Sequence, residues 1–136
     1  MFDFEACPKV VAIVGSRAFS RLDWVRTFVT KLPTNRIIVS GGALGVDTMA
    51  RKCAVIHKHH YKPFHIEDFE WSLLGRSVGQ FRNTQLVDYV KRWNGTVVIF
   101  ADKLSNGLLT PGSQGVKNYC EKQGVPYTVF SPEIIR

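Results

Sequence analysis

The chain has 136 residues, of which 45% are hydrophobic and 12% aromatic. This length suits one globular domain and is too short for two, so we expect a single domain over residues 1–136. The 18 Lys and Arg against 11 Asp and Glu give a formal charge of +7, which favours anionic partners: nucleotides, nucleic acids or acidic proteins. No segment reaches the roughly 18 apolar residues of a membrane helix, so we expect no membrane partner.

The N-terminus and the cysteines bear on location. Residues 1–9 lack a basic stretch followed by an apolar core, which is the pattern of a secretion signal, and we therefore predict a cytoplasmic protein. The cysteines occur singly with no CxxC pair, which argues against both a disulfide framework and a zinc site. We predict that all three are reduced and mostly buried: Cys7, Cys53 and Cys120.

The first half of the chain alternates strands with helices. Residues 9–15, KVVAIVG, form a β-branched run that predicts a buried parallel strand, and residues 23–32 carry the apolar stripe of a helix that Pro33 ends. Residues 36–40, RIIVS, predict a second strand, followed after a glycine-rich turn by a helix over about 47–57.

The second half continues the alternation after a poorly patterned segment. Residues 61–66 predict a weak strand, and 67–79 a loop with a short helical piece. Then follow a helix over 81–92, a strand over 95–101, a loop over 102–112, a helix over 114–122 with Gly124 as C-cap, and a strand over 125–130. We therefore predict an α/β fold: one Rossmann-like domain with a mostly parallel twisted sheet of about five strands and helices on both faces.

Ligands of such sheets bind beyond the carboxyl ends of the strands, so the residues after each strand matter most. Gly15, Ser16 and Arg17 follow the first strand and offer a close backbone approach, a hydroxyl and a bidentate guanidinium for phosphate. The second strand runs into SGGALGVD at 40–47, whose backbone N–H groups and following helix N-terminus suit an anion. The candidate ligand-binding residues of this turn are Ser40, Gly41, Gly42, Gly45 and Asp47.

The alternative interpretation of SGGALGVD is a tight turn with Asp47 as N-cap, but three glycines between a strand and a helix favour phosphate binding. The glycines fall at 41, 42 and 45, which is not the spacing of GxGxxG, and the Gly-Lys-Ser/Thr ending of a P-loop is missing. We therefore expect neither an ordinary NAD-binding protein nor an ATPase, and no separate cofactor.

Two further segments could draw an anion to a helix start. GRSVGQFRN at 75–83 contributes Arg76, Arg82 and Asn83, although a solvated helix turn capped by Asn is the simpler explanation of this segment taken alone. The turn PGSQGV at 111–116 contributes Gly112, Ser113 and Gly115, with a plain loop and Ser113 as N-cap as its alternative.

Histidines and aromatic residues give weaker indications. The four histidines His57, His59, His60 and His65 suggest a metal cluster, but HKHH at 57–60 lies at a predicted helix end, where a cationic turn is the simpler explanation, and we expect no metal. We assign Trp24, Phe28 and Trp93 to the core because of their helical spacing, whereas Trp71 in the irregular segment could stack on a base.

Together these loops resemble the SLOG superfamily, in particular its small stand-alone YspA-like branch, related to the LOG phosphoribohydrolases and to DprA. The motifs are GSRAF at 15–19, IVSGGALGVDTMA at 38–50, GRSVGQFRN at 75–83 and PGSQGV at 111–116. The resemblance implies that the 41–45 glycines line a phosphate site, that Arg82 lies near a ribose phosphate, and that Ser113 and Gly115 form a second phosphate turn. SLOG relatives often form oligomers that share sites across the interface, so the resemblance also implies a homodimer or higher homo-oligomer.

The chain departs from the LOG pattern PGGxGTxxE at two positions. Val116 stands where its phosphate-binding threonine would fall, and Asn118 stands where its catalytic glutamate would fall. Glycosidic cleavage needs a carboxylate, which an amide cannot replace. Glu121, or acidic residues of the irregular segment such as Glu67, Asp68 and Glu70, are the available substitutes.

Three functions stay open at this point. We expect first a module that binds a nucleotide or nucleotide-derived signal, because the glycine turns are intact while the catalytic motif is not. The second is a phosphoribohydrolase acting on a nucleoside 5′-monophosphate, with Arg82, Glu67 and Glu70 as catalytic candidates. The third is single-stranded nucleic-acid binding, suggested by the charge and by the kinship with DprA.

Overall fold

The computed structural model describes residues 2–16, 18–41, 45–64, 72–73, 75 and 77–132, and of Ser77 only the backbone. Strands and helices alternate along these residues. The strands are β1 (Val10–Gly15), β2 (Ile37–Ser40), β3 (His60–Pro63), β4 (Thr96–Phe100) and β5 (Tyr127–Phe130). The helices are α1 (Leu22–Lys31), α2 (Val46–Ile56), α3 (Ser77–Arg92) and α4 (Pro111–Gln123).

The five strands form one sheet in the order β3-β2-β1-β4-β5, and every neighbouring pair is parallel. This confirms the predicted α/β class and the predicted number of strands. The chain moves outward from β1 through β2 to β3, and then crosses to the other side of β1 for β4 and β5. The strand order therefore reverses between β1 and β4, which is the topological switch point where such folds bind ligands.

Helices cover both faces of the sheet because side chains of each strand alternate between the faces. Val11 and Ile13 of β1 pack toward α1 and α2, whereas Val10, Ala12 and Val14 pack toward α3 and α4. Burial of each of these valine and isoleucine side chains contributes about 1.5–3 kcal/mol, which fixes the helices against the sheet.

Helix α4 begins at Pro111, three residues before the predicted start at Gln114, so the prediction of a turn is wrong for residues 111–113. Thr110 is the N-cap, and Pro111 takes the first helical position, where a missing N–H costs nothing. The Gln114 side chain reaches back, and its Oε1 accepts a hydrogen bond from the Leu109 N–H at 3.0 Å. At the other end Gly124 is the C-cap in the left-handed conformation, with φ of 69°, as predicted.

Two other assignments change. Trp93 was assigned to the core but is 55% exposed, because it follows the last residue of α3 and its ring lies beside the Arg92 guanidinium. His59 was assigned to a cationic turn but is buried, and its Nδ1 accepts a hydrogen bond from the Arg36 N–H at 3.3 Å. The three cysteines are free and buried, as predicted. None of the described helices is long and apolar enough to cross a bilayer.

Candidate functional site

The predicted ligand-binding residues fall into two groups. The structure describes Gly15, Ser16, Ser40, Gly41, Gly45, Asp47, Arg82, Asn83, Gly112, Ser113 and Gly115. Outside the described residues lie Arg17, Gly42, His65, Glu67, Asp68, Glu70, Trp71 and Arg76. Of the substitute carboxylates expected for a hydrolase, Glu121 is described and the other three are not.

Arg82 reaches from the second turn of α3 to the end of β2. Its Nη1 donates a hydrogen bond to the Gly41 carbonyl oxygen at 3.1 Å. The guanidinium fills the place of the missing side chain: a Cβ atom on Gly41 would lie 2.4 Å from Nη1 and 2.5 Å from Cζ. Gly41 therefore has to be glycine for Arg82 to lie where it does, and the structure brings together two residues that are 41 positions apart.

Asn83 orients the guanidinium from the next position on α3. Its Oδ1 accepts one hydrogen bond from Arg82 Nε at 3.2 Å and a second from Nη2 at 3.0 Å. A guanidinium has five N–H groups. The two hydrogen bonds to Asn83 and the one to Gly41 use three of them. The two others, one on each Nη nitrogen, have no hydrogen-bond partner among the described residues, and N–H groups on both Nη nitrogens can bind carboxylate or phosphate in a bidentate manner.

Arg82 is half-buried, which withdraws part of its positive charge from water. Burial lowers the pKa of the guanidinium, and the charge of Asp47 opposes that effect only in part. An arginine stays protonated at any physiological pH, so the burial cost falls on the charged form. Asp47 is itself 3% exposed and lies in the first turn of α2. We call Gly41, Asp47, Arg82 and Asn83 the Arg82 site.

The N-terminus of α2 adds a second positive element beside Gly41. Gly45 is the N-cap, with φ of 80° and ψ of −118°, a conformation that disfavours other residues. No side-chain cap hydrogen bond is made at this N-cap. Asp47 is thus in the first turn and not the N-cap, unlike in the alternative interpretation of SGGALGVD. The positive end of the helix dipole points back toward the end of β2.

Gly15 has a packing role at the end of β1. A Cβ atom there would lie 2.3 Å from the Phe100 carbonyl oxygen and 2.6 Å from Val46 Cγ2. The next residue, Ser16, is half-buried, and its N–H donates to the same Phe100 oxygen at 3.4 Å. Glycine at 15 therefore lets α2 and β4 close against β1.

The Ser40 hydroxyl is engaged within the protein. Ser40 is completely buried, and its Oγ is hydrogen-bonded to the Tyr61 hydroxyl of the neighbouring strand β3. Burial raises the pKa of Tyr61, so this phenol stays neutral. Sequence reasoning missed Tyr61, because the weak pattern of β3 did not indicate which side chains face β2.

Asp102 is a second residue that sequence reasoning missed. It follows β4 at the switch point, and its carboxylate accepts hydrogen bonds from the Ser20 hydroxyl at 2.6 Å and from the Ser20 N–H at 3.1 Å. These bonds tie the loop after β4 to the loop after β1. The rule that selects residues directly after strands could have found Asp102, had it been applied to the loop after β4.

Among the described residues, the start of α4 makes no hydrogen bond with the residues of the Arg82 site. Ser113 is 5% exposed and Val116 packs into the core, whereas Gly112 and Gly115 are exposed with open space around them. Asn118 accepts a hydrogen bond from the Gln114 amide. Glu121 accepts one from the Tyr127 hydroxyl at 2.6 Å, so its carboxylate is engaged at β5.

Among the residues that the structure describes, no group of three His, Cys, Asp or Glu side chains could hold a metal ion.

The chain is similar to proteins that process DNA. The family model of DNA recombination-mediator protein A matches residues 3–63. An X-ray structure of DNA processing protein A (DprA) from Streptococcus pneumoniae is 22% identical, with a TM-score of 0.64, and the match covers 95% of this chain and 52% of that chain. This chain therefore spans about half the length of that DprA.

The C-terminal domain of a hydrogenase from Pyrococcus furiosus also matches, with 12% identity, a TM-score of 0.48 and coverage of 90% of this chain and 91% of that chain. The curated proteins contain no match.

Proposed function

We propose that this chain, a SLOG/DprA-like protein, binds the phosphate of a nucleotide or nucleotide derivative at the Arg82 site. The observation that carries the proposal is the Arg82 guanidinium, held by Gly41 and Asn83, with one N–H on each Nη nitrogen that has no hydrogen-bond partner among the described residues. A phosphate accepts two such hydrogen bonds side by side.

The energetics of Arg82 favour an anionic ligand. A buried cation is costly unless an opposite charge lies beside it, and the described residues give Arg82 no ion pair. Its lowered pKa reflects that cost, which Asp47 offsets only in part. A bound phosphate would supply the missing negative charge, and the N-terminus of α2 would stabilise the same charge.

Gly41 contributes backbone to the site. Since its α-carbon lies against the guanidinium, a ligand that engages Arg82 also comes close to the main chain after β2. Phosphates are often bound by main-chain N–H groups at such strand-to-helix turns. We therefore expect a ligand whose phosphate lies at Arg82 and Gly41, and whose base or other group extends toward residues outside the Arg82 site.

The test is isothermal titration with AMP, ADP-ribose and inorganic phosphate. We expect AMP or ADP-ribose to bind and to raise the melting temperature of the protein. Arg82→Gln should weaken that binding about tenfold or more, because a charge-assisted hydrogen bond is worth about 1.5–3 kcal/mol. Arg82→Lys should recover only part of the affinity, because an ammonium lacks the paired donors.

Arg92→Gln is the matched control, since Arg92 is an exposed arginine of the same helix and should leave the affinity unchanged. The proposal fails if none of the three compounds binds to the folded wild-type protein. It also fails if Arg82→Gln and Arg92→Gln bind equally well.

Single-stranded nucleic-acid binding is a second candidate. The match of residues 3–63 to DNA recombination-mediator protein A and the formal charge of +7 favour it. Lys62 of β3 lies 5.1 Å from the Tyr89 ring centroid, and the exposed Trp93, just after α3, lies 6.3 Å from that same centroid, so a cationic and two aromatic side chains adjoin near the end of α3. Backbone phosphates and stacked bases are the groups that bind such surfaces.

Fluorescence anisotropy with a labelled oligothymidylate tests this candidate. We expect affinity to fall steeply as salt rises, and Trp93→Ala to weaken binding about fivefold or more, as the loss of base stacking predicts. Weak binding that is insensitive to salt would exclude it. We propose no glycosidic cleavage, because Asn118 replaces the LOG glutamate and Glu121 is hydrogen-bonded to Tyr127.

A further inference from the structure

An aromatic cavity lies on the α1 side of the sheet, beside β4 and β5. On this face α1 and α2 pack over β1 and β2, while the aromatic side chains that end β4 and β5 are covered by α1 and by the N-terminal residues. The cavity has a volume of about 370 Å³. Its described lining is Phe2, Phe4, Trp24, Thr27, Phe28, Lys31, Phe100 and Phe130.

Phe28 organises the walls of the cavity. Its ring lies 5.0 Å from that of Phe2 and 5.3 Å from that of Phe4, measured between centroids. On its other side it meets Phe100 at 5.7 Å and Phe130 at 5.9 Å. Phe100 and Phe130 are themselves stacked, at 5.3 Å and an angle of 24°. A flat apolar group could therefore meet ring edges and ring faces in the arrangements that aromatic pairs prefer.

One charged side chain lines this cavity among the described residues. Lys31 is exposed in the last turn of α1, and no acidic residue belongs to the lining. The long stem of a lysine can follow the apolar wall while its ammonium stays at the mouth. The described residues offer Lys31 no ion pair. The mouth is thus complementary to one negative charge.

From this combination we infer that the cavity binds a small planar aromatic carboxylate, with its ring among the phenylalanines and its carboxylate at Lys31. The volume lies at the lower end of the range for ligand pockets, which suits a ligand of one or two fused rings. No residue of the lining belongs to the Arg82 site, so this is a second site and it does not depend on the proposed nucleotide function.

The probe is 2-naphthoate, with 2-naphthalenemethanol as its neutral analogue, in titration calorimetry on the full chain. We expect 2-naphthoate to bind with Kd on the order of 100 μM, as suits a ligand of this size. Lys31→Gln should lower the affinity for 2-naphthoate about threefold to tenfold and leave the affinity for the neutral alcohol unchanged. Thr27→Trp places a bulky side chain from an exposed position at the cavity and should abolish the binding of both compounds.

Lys122→Gln is the matched control, because Lys122 is an exposed lysine in the last turn of another helix, and it should bind like the wild type. Circular dichroism of each variant confirms that it is folded. The inference is overturned if 2-naphthoate does not bind the wild type, or if Lys31→Gln and Thr27→Trp bind it unchanged. It is also overturned if AMP displaces 2-naphthoate, because the two compounds would then share one site.

Discussion

The guanidinium of Arg82 occupies the space that a side chain at position 41 would need, with Nη1 3.1 Å from the Gly41 carbonyl oxygen. This relationship joins the turn after β2 to the helix α3 on the other face of the sheet. It makes the shape of the candidate site depend on two residues at once.

Gly41→Ala should displace Arg82, because the new Cβ would lie 2.4 Å from Nη1. Moving the guanidinium breaks its hydrogen bond to the Gly41 oxygen, so we expect a loss of about 1–2 kcal/mol in the free energy of unfolding. AMP binding should weaken together with stability. Urea denaturation and calorimetric titration measure the two effects.

A double-mutant cycle gives the control for this prediction. In a protein that already carries Arg82→Gln, the shorter side chain leaves room for the Cβ added at position 41, so Gly41→Ala should lower the free energy of unfolding clearly less than in the wild type. Equal costs in both backgrounds would show that the clash with Arg82 is not the cause.

Gly115→Ala should stabilise the protein by about 0.5–1 kcal/mol, because alanine is the better helix former. Gly115 is exposed within α4, and a Cβ there would meet no atom within 4 Å. Urea denaturation measures the gain. AMP affinity should stay at the wild-type value. A marked loss of AMP affinity would instead support the phosphate-binding role that the SLOG resemblance implies for this residue.

Tyr61→Phe should destabilise the protein by about 1–3 kcal/mol. The change leaves the completely buried Ser40 hydroxyl without its Tyr61 partner, and an unsatisfied buried group carries its full desolvation cost. Adding Ser40→Ala to Tyr61→Phe should recover part of that loss in denaturation experiments. Tyr119→Phe is the control: its hydroxyl donates to Asp88 at the surface, so its removal should have a smaller effect.

Stability should depend on the protonation of His59. Burial lowers the pKa of this imidazole in the folded protein below the ordinary 6.5. The unfolded chain therefore binds a proton more readily than the folded one, and the free energy of unfolding should fall as pH drops from 6.5 toward the lower folded pKa. The measurement is the melting temperature across this pH range.

His59→Asn should flatten this pH dependence, since the amide oxygen can accept the Arg36 N–H bond in place of Nδ1 and does not titrate. His60→Gln, at an exposed position next in sequence, should keep the wild-type profile. If His60→Gln flattens the profile and His59→Asn does not, the assignment to His59 is wrong.

Strong periodicity made the fold predictable. The β-branched runs of β1 and β4 are buried on both faces, and such strands carry an unmistakable pattern. The start of α4 was missed because glycines at 112 and 115 suggested a turn, whereas Pro111 at the first helical position was the stronger signal. Trp93 was misplaced because helical spacing continues past the point where the helix ends.

The candidate site was predictable in its parts but not in its contacts. Rules about residues after strands select Gly41, and the GRSVGQFRN motif selects Arg82 and Asn83, but neither shows that the guanidinium rests on the glycine. The Ser40–Tyr61 and Ser20–Asp102 hydrogen bonds join positions 21 and 82 residues apart. Such pairings are set by the packing of the whole sheet, which no local pattern contains.

The short outer strands of the sheet bear on how copies of the protein can associate. β3 and β5 have four residues each, and β3 ends in Pro63, which has no N–H to offer a further strand. The exposed Lys62 beside it would put a charge into any added strand. Extension of the sheet at β3 is therefore disfavoured, and assembly into dimers would have to use the β5 edge or helix and loop surfaces.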